Sequence, residues 1–332
     1  MAGQSFDAQN ATMSDDLHPG QRLRPELLEG IAPVFRVDPV TRDAHLIGTG
    51  FWVSEFGHLV TAWHVVAENI GPDGVDRGPI FAIQTFSDRS FVARTFVKTD
   101  KHPQFDLALS ETCVAAPDHD RSTIPLTMTL DEVKSGDPVF SFAVLDGNQE
   151  FDSEKWPGTT TARFRSELTI REMDVDTSLQ FAARQSFGFV SEIFETLRDT
   201  VMLPFPCVQT DVPIYGANSG GPLFDHLGKV CAVHCTSYEG ADIAFHVPIR
   251  GVLELRLRAE SIKLTDHERK QWSLLELAFA EIVPFDPPLL DVRRLFWSAL
   301  RWLKYAIKRK FSGQSLSKNI HLVEARPAPK ND

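Results

Sequence analysis

The chain has 332 residues, of which 42% are hydrophobic and 24% are charged, a composition typical of folded proteins and too apolar for intrinsic disorder. Acidic residues outnumber basic ones by 45 to 34, and this balance argues against nucleic acid as a partner, because nucleic-acid binding depends on Lys and Arg contacts to phosphates. No stretch approaches the roughly 20 consecutive apolar residues of a membrane-spanning helix.

The N-terminal region, residues 1–25, is polar and has no apolar periodicity, so we predict a mobile tail there. It lacks the apolar segment of about 7–15 residues that marks a secretory signal peptide. The cysteines are too few for a disulfide scaffold in a chain of this length; they are Cys113, Cys207, Cys231 and Cys235. These features together predict a reduced, cytoplasmic protein.

The sequence offers no convincing metal site. Cys231 and Cys235 lie in an apolar run that is typical of a strand, where four residues extend about 13 Å. That distance is beyond the roughly 7 Å that a disulfide allows, and His234 between them would face the opposite side. We therefore expect packed, reduced thiols, no metal and no cofactor.

Short runs of β-branched and aromatic residues begin at Val34 and are separated by Gly, Pro, Asp and Asn. The runs that we predict as strands are 34–37, 45–53, 58–62, 80–86, 91–97, 105–109, 139–144, 168–172, 187–193, 207–210, 222–224, 230–235 and 244–247. So many short strands with few helical patterns between them predict an all-β protein, either a barrel or a sandwich.

The pattern changes near Ile262, where two helical patterns follow. They cover 266–282 and 289–310 and are separated by the helix-breaking sequence Pro-Phe-Asp-Pro-Pro. We therefore predict a disordered tail at 1–25, a β domain at 26–262, a C-terminal helical hairpin at 263–312 and a flexible tail at 313–332.

Three motifs carry chemistry, and they occur in the order His, Asp, Ser. His64 follows the run 58–62, Asp106 opens the run 105–109, and Ser219 lies in a loop of small residues between two strands. Each residue alone has an ordinary structural explanation, such as a surface position or a turn. Their combination in an all-β chain is more specific, because nucleophilic acyl transfer needs a hydroxyl, a neighbouring base and a carboxylate that orients the base.

With these motifs the sequence resembles the chymotrypsin-like serine peptidases, and within them the HtrA-type and related bacterial branch. The resemblance runs from about Val34 to Val252 and is most specific over 209–222. It implies two perpendicular six-stranded antiparallel β-barrels with the active site in the cleft between them. HtrA-type enzymes usually continue into a PDZ module, for which the 70 residues after Ile262 are too few and too helical.

The resemblance also implies a role for each motif residue. His64 would be the general base, Asp106 its orienting acid and Ser219 the nucleophile, with an acyl-enzyme intermediate formed on the serine. The backbone N–H groups of Ala217 and Ser219 would form the oxyanion hole. On this basis we expect a serine endopeptidase, a hydrolase whose partners are protein or peptide substrates.

One residue of the serine loop departs from the family pattern. The family usually has glycine two residues before the nucleophile, whereas this chain has Gly216 followed by Ala217. If the active loop needs a positive φ there, the Cβ of alanine costs roughly 1–2 kcal/mol and favours an inactive, flipped peptide. A catalytically impaired pseudo-peptidase that acts as a protein-binding module is therefore the alternative to the active enzyme.

The specificity pocket, S1, is lined in this family by the strand after the serine loop, which segment 228–236 resembles. His234 stands where glutamyl endopeptidases, and viral enzymes that cut after Gln, carry a pocket histidine able to donate to a carboxylate or amide. Ile214, however, replaces the hydroxyl residue of the glutamyl enzymes. We expect His234, Ile214 and Thr236 to line S1, with either an acidic or amide preference or a mixed apolar pocket in which His234 is only a wall residue.

The segment 289–311 predicts a basic amphipathic helix. One sector of its helical wheel is basic, and an apolar set that includes Trp302 fills the other side. The basic residues are Arg293, Arg294, Arg301, Lys304 and Lys308. Three alternatives stay open for the apolar face: packing on the barrels or the preceding helix, peripheral binding to anionic lipid, and contact with another protein molecule through self-association.

Overall fold

The computed structural model describes residues 24–38, 40–41, 43–72, 74, 80–87, 90–114, 122–129, 131–146, 161–170, 175–238, 243–258 and 271–286. Six antiparallel strands of its first half close a barrel in the order β1-β2-β3-β6-β5-β4. They are β1 (Ile31–Val37), β2 (Ala44–Trp52), β3 (His58–Thr61), β4 (Ile80–Thr85), β5 (Phe91–Lys101) and β6 (Ala108–Val114). Apolar side chains such as Val34, Trp52 and Leu59 fill the barrel.

Seven further strands form the second sheet, in the order β10-β13-β12-β11-β7-β9-β8. They are β7 (Pro138–Asp146), β8 (Thr161–Ile170), β9 (Val175–Phe194), β10 (Cys207–Thr210), β11 (Pro222–Asp225), β12 (Val230–Ser237) and β13 (Ala244–Pro248). The C-terminal part of β9 also pairs with β10, which closes six of these strands into a second barrel. Strand β8 pairs with β9 outside that ring.

The predicted fold of two six-stranded antiparallel barrels is confirmed. Several strands differ in their bounds from the sequence pattern, among them β8, which covers Thr161–Ile170 where 168–172 was predicted, and most consequentially β6 and β9. Strand β6 begins at Ala108, so Asp106 lies in the loop before it rather than at the start of the strand. Strand β9 has 20 residues, far more than the predicted 187–193, because its first half is paired with β8 in a long hairpin.

Helices are short in the described part of the chain. They are α1 (Trp63–Val66), α2 (Ile249–Glu254) and α3 (Leu274–Phe279), with 3-10 helices at Pro25–Gly30 and Ala67–Asn69. None of the helices that the structure describes has the length and apolar character to cross a membrane.

The helix predicted over 266–282 differs from the structure. Strand β15 (Gln271–Ser273) pairs with β14 (Arg256–Arg258), and α3 begins only at Leu274. A capping box between Ser273 and Glu276 fixes this start, because the two residues satisfy each other's backbone N–H groups. The second predicted helix, 289–310, and both predicted tails apart from 24–25 lie outside the described residues.

Candidate active site

His64 and Asp106 are joined at the edge of the first barrel. His64 lies in α1, directly after β3, and its Nδ1 is 2.6 Å from Oδ2 of Asp106. The backbone N–H of His64 donates to Oδ1 of the same carboxylate at 3.0 Å, and the N–H of Trp63 donates to the Asp106 carbonyl at 3.3 Å. Because an ionised carboxylate only accepts, Nδ1 carries the proton and Nε2 is left as the basic nitrogen.

The environment of Asp106 keeps it ionised. Burial opposes the charge, but hydrogen bonds from His64 outweigh it, and the pKa of this carboxyl lies below its ordinary value. The thiol of Cys235 adds a weaker contact, with Sγ 3.4 Å from Oδ2. Burial raises the pKa of that thiol, so it stays protonated and acts as a donor.

The serine loop is held between the two barrels. Its Ser219 carbonyl accepts from Thr49 N–H at 2.9 Å, and the N–H of Gly220 donates to the His234 carbonyl at 2.8 Å. Gly220 has a φ of +85°, and a Cβ there would lie 2.1 Å from Oγ1 of Thr61. Only glycine fits this position, because the backbone is left-handed and the first barrel is in direct contact.

Ser219, His64 and Asp106 line one cleft of about 360 Å³. The Ser219 hydroxyl donates to the Cys235 carbonyl at 3.4 Å, a long contact, and within the described residues no hydrogen bond joins it to His64. Catalytic hydrogen bonds are often loose before substrate binds, so this arrangement is compatible with the predicted triad.

Ala217 has a φ of 69°, in the left-handed region that favours glycine. Its carbonyl accepts a hydrogen bond from Oγ1 of Thr49 at 2.7 Å. The N–H groups of Ala217 and Ser219 donate to no other described atom, so both predicted oxyanion donors are unengaged. Ala217 therefore adopts the positive φ at which its Cβ is expected to carry a steric cost.

Ile214, Thr236 and His234, the predicted S1 residues, line the same cleft, together with Met202, Tyr215, Gly216 and Ser237. His234 is nevertheless buried, and both of its ring nitrogens have partners inside the second barrel. Nε2 contacts Oγ of Ser141, and Nδ1 lies 2.7 Å from Nδ1 of His246. Burial lowers the pKa of His234 to about 3, so the ring is neutral.

Several residues at the site were not found from the sequence. Thr49 supports the carbonyl of Ala217, Cys235 contacts the acid, and His246 holds His234. Two sequence features could have pointed to such residues. His246 is a polar residue within the otherwise apolar strand β13, and Thr49 lies between two glycines. Neither feature says which distant residue is contacted.

Comparison with known proteins agrees with this geometry. The model of the family described as "Trypsin-like peptidase domain" matches residues 48–233, more than half of the chain. The chain belongs to the trypsin-like peptidase family. This match covers parts of both barrels and includes His64, Asp106 and Ser219.

Individual relatives of this trypsin-like peptidase are distant. A probable periplasmic serine endoprotease, DegP-like, of Pseudomonas fluorescens is 26% identical over 212 residues, which are 63% of this chain and 34% of that protein. A protein of the same description from Pseudomonas putida is 28% identical over 242 residues, 67% and 39% of the two chains. The chain thus spans little more than a third of the length of these relatives.

Among solved structures, that of Deg5 is 17% identical in sequence, with a TM-score of 0.47 over 69% of this chain and 87% of that chain.

The expectation of a cytoplasmic protein is wrong, because the relatives are named as periplasmic enzymes. Unpaired cysteines do not distinguish the two compartments in this chain. All four cysteines are free, and Cys207, Cys231 and Cys235 are buried. Thiols that are buried and cannot reach a partner remain unpaired in an oxidising compartment as well as in a reducing one.

Proposed function

We propose that this protein is a serine endopeptidase that hydrolyses peptide bonds of protein substrates through an acyl-enzyme, and that it acts in the periplasm as its relatives are named to do. The observation that carries the proposal is the 2.6 Å contact of His64 Nδ1 with Asp106 Oδ2 in the cleft that Ser219 borders. This contact orients the imidazole so that its second nitrogen can accept the proton of a serine hydroxyl.

The reaction follows from these positions. Ser219 Oγ attacks the substrate carbonyl carbon while its proton passes to Nε2 of His64. The carboxylate of Asp106 stabilises the resulting imidazolium, and the N–H groups of Ala217 and Ser219 donate hydrogen bonds to the carbonyl oxygen, on which negative charge forms. His64 then returns the proton to the leaving amine as the C–N bond breaks. Water, activated by the same imidazole, hydrolyses the ester and restores the serine.

The oxyanion donors contribute much of the rate. Loss of one such donor typically lowers kcat by about 10²–10³-fold, because the donors are preorganised in a site with little water. Thr49 is the residue that supports this part of the site, since its hydroxyl holds the Ala217 carbonyl and its N–H holds the Ser219 carbonyl.

A pseudo-peptidase that binds proteins is the second candidate, and two observations favour it. Ala217 occupies a left-handed conformation, which costs an alanine roughly 1–2 kcal/mol, and the Ser219 hydroxyl faces the Cys235 carbonyl. Against it, the acid, the base and the hydroxyl are all present in the cleft.

A fluorophosphonate probe separates the two candidates, because it labels only a serine that is activated by its base. We expect the wild type to be labelled at Ser219 and Ser219→Ala to remain unlabelled. Ser191→Ala is the matched control, since Ser191 is an exposed serine of the second barrel and its variant should be labelled as the wild type is. Absence of labelling in the wild type, with or without protein substrate, favours the pseudo-peptidase.

A further inference from the structure

Asp106 lies in a six-residue loop, 102–107, which connects β5 to β6 and which we call the acid loop. The loop is closed at its base, where the N–H of His102 donates to the Leu107 carbonyl at 2.8 Å. The His102 side chain fills the loop and is only 1% exposed. Its Nδ1 accepts two backbone hydrogen bonds, from Gln104 N–H at 3.1 Å and from Phe105 N–H at 3.0 Å.

This geometry fixes the protonation state of His102. Two N–H groups converge on Nδ1, so that nitrogen carries no proton, and in the neutral ring the proton is on Nε2. Nε2 lies 3.4 Å from Oε2 of Glu254 in α2, without hydrogen-bond alignment. Burial lowers the pKa of His102 more than Glu254 raises it, which keeps the ring neutral and Nδ1 an acceptor.

The acid loop is also fixed by packing. The ring of His102 lies 4.7 Å from that of Phe105, and Phe105 in turn contacts Phe205 at 5.7 Å between ring centroids. On the other side Phe105 lies against Gly251 of α2, where a Cβ would come within 2.7 Å of the ring. Asp106 follows Phe105 directly in the chain. The contacts that fix Phe105 therefore also fix the backbone position from which the Asp106 side chain projects.

We propose that His102 is a positioning residue for the His64–Asp106 pair: its unprotonated Nδ1 holds the acid loop in the turn that directs Asp106 onto His64. Short polar residues usually form such turns by accepting backbone N–H groups two or three positions ahead, and His102 accepts from those same positions. The proposal rests on the proposed peptidase function, since it concerns the geometry of that site. It differs from a packing role, in which any side chain of similar volume would serve.

Two amide variants distinguish these roles. In His102→Asn the side-chain oxygen can occupy about the place of Nδ1, whereas in His102→Gln the longer side chain places its amide near Nε2. Both variants lose the ring contact with Phe105. We expect His102→Asn to keep kcat close to the wild-type value and His102→Gln to lower kcat by roughly 10²-fold with little change in KM, because a small displacement of a catalytic group has that effect.

Glu254→Gln is the control, because Glu254 is exposed and contacts Nε2 of His102 rather than the acceptor Nδ1; its activity should equal that of the wild type. Equal losses in His102→Asn and His102→Gln would show that the ring only fills space and would overturn the proposal. If His102→Gln does not fold, His102→Asn still decides, since a large loss of kcat in that variant contradicts a role for the acceptor.

A spectroscopic measurement separates failure of this proposal from failure of the proposed function. The downfield NMR resonance of the proton between His64 Nδ1 and Asp106 reports the contact without turnover. We expect the resonance in the wild type and in His102→Asn, and its loss or a large shift in His102→Gln. An unchanged resonance in folded His102→Gln overturns the positioning role, whatever the activity of the enzyme. If the wild type shows the resonance but is inactive, the proposed peptidase function is contradicted and the positioning role of His102 is not.

Discussion

Ala217 carries a Cβ in a backbone conformation that favours glycine, with φ at 69°. The conformation costs an alanine roughly 1–2 kcal/mol. The partly buried hydrogen bond from Thr49 Oγ1 to the Ala217 carbonyl contributes about 1 kcal/mol, a typical net value for an intramolecular hydrogen bond. The cost of the left-handed conformation and the gain from this hydrogen bond are therefore of similar size.

Ala217→Gly tests this balance. Removing the Cβ relieves the strain and leaves both N–H donors in place, so we expect kcat/KM and the rate of fluorophosphonate labelling to rise by up to about fivefold, equivalent to about 1 kcal/mol. Glu281→Gly is the matched control: Glu281 also has a positive φ, 60°, but lies after α3. It should leave activity unchanged. A lower or unchanged labelling rate in Ala217→Gly would mean that strain does not limit the loop.

At the scale of the secondary-structure elements, a chain of hydrogen bonds ties five strands of the second barrel together. Ser141 of β7 donates to the Pro222 carbonyl at 3.2 Å, which leaves its oxygen free to accept from Nε2–H of His234 in β12. Nδ1 of His234 then accepts from His246 in β13, and Nε2 of His246 accepts from Thr210 in β10 at 2.7 Å. With the hydrogen bonds donated in this order, all four side chains are neutral and each has its hydrogen-bond partners.

The chain has a consequence for specificity. Because both nitrogens of His234 are engaged in the barrel, the S1 pocket that we propose has no free donor from this imidazole for an incoming carboxylate or amide. Its other walls include the apolar side chains of Ile214 and Met202. We expect a peptide library to show cleavage after Leu, Val or Met, with kcat/KM about 10- to 100-fold lower after Glu or Gln, the cost of leaving a polar group without a partner.

Met202→Asn is the variant that should weaken this preference, since it removes an apolar wall while the histidine chain is untouched. Cleavage after Glu or Gln at rates equal to those after Leu would contradict the prediction. It would indicate that His234 turns toward the cleft when substrate binds.

At the scale of the whole molecule, the short apolar and aromatic runs were sufficient to predict an all-β protein, and the two barrels followed from the resemblance to the chymotrypsin-like peptidases. The three motif residues could be recognised because each lies in a local pattern, such as the small-residue loop around Ser219. The contacts that support them could not, since Thr49 and Ala217 are 168 positions apart in the chain. Sequence periodicity reports which face of an element is buried, and it carries no information on which distant element covers that face.

The C-terminal part of the β domain shows the same limit. An amphipathic pattern predicted one helix over 266–282, but β14 supplies a pairing edge for residues 271–273 and draws them into a strand. The hydrogen bonds that residues 271–273 form with β14, more than ten residues earlier in the chain, therefore outweigh the local preference for a helix.

Buried neutral histidines also make the stability of the whole molecule depend on pH. Burial lowers the pKa of His58 to about 4 and that of His234 to about 3, and it lowers those of His102 and His246 below the ordinary 6.5. Below pH 6.5 the unfolded chain therefore binds protons that the folded protein does not. The contribution of these histidines to the free energy of unfolding is complete above pH 6.5. It falls as pH decreases, by about 1.4 kcal/mol per pH unit for each histidine that remains neutral in the folded protein.

We expect urea unfolding to show a free energy of unfolding that is nearly constant above pH 7 and declines steadily from pH 6.5 to pH 4.5. Carboxylates with lowered pKa, such as Asp106, add to the decline only near and below their ordinary value of 3.8. His58→Gln should make the slope between pH 6 and pH 5 shallower by about 1.4 kcal/mol per pH unit, because one proton fewer is taken up on unfolding. His226→Gln, at an exposed position, should leave the slope unchanged. A free energy of unfolding that stays constant from pH 7 to pH 5 would mean that the rings accept protons without unfolding.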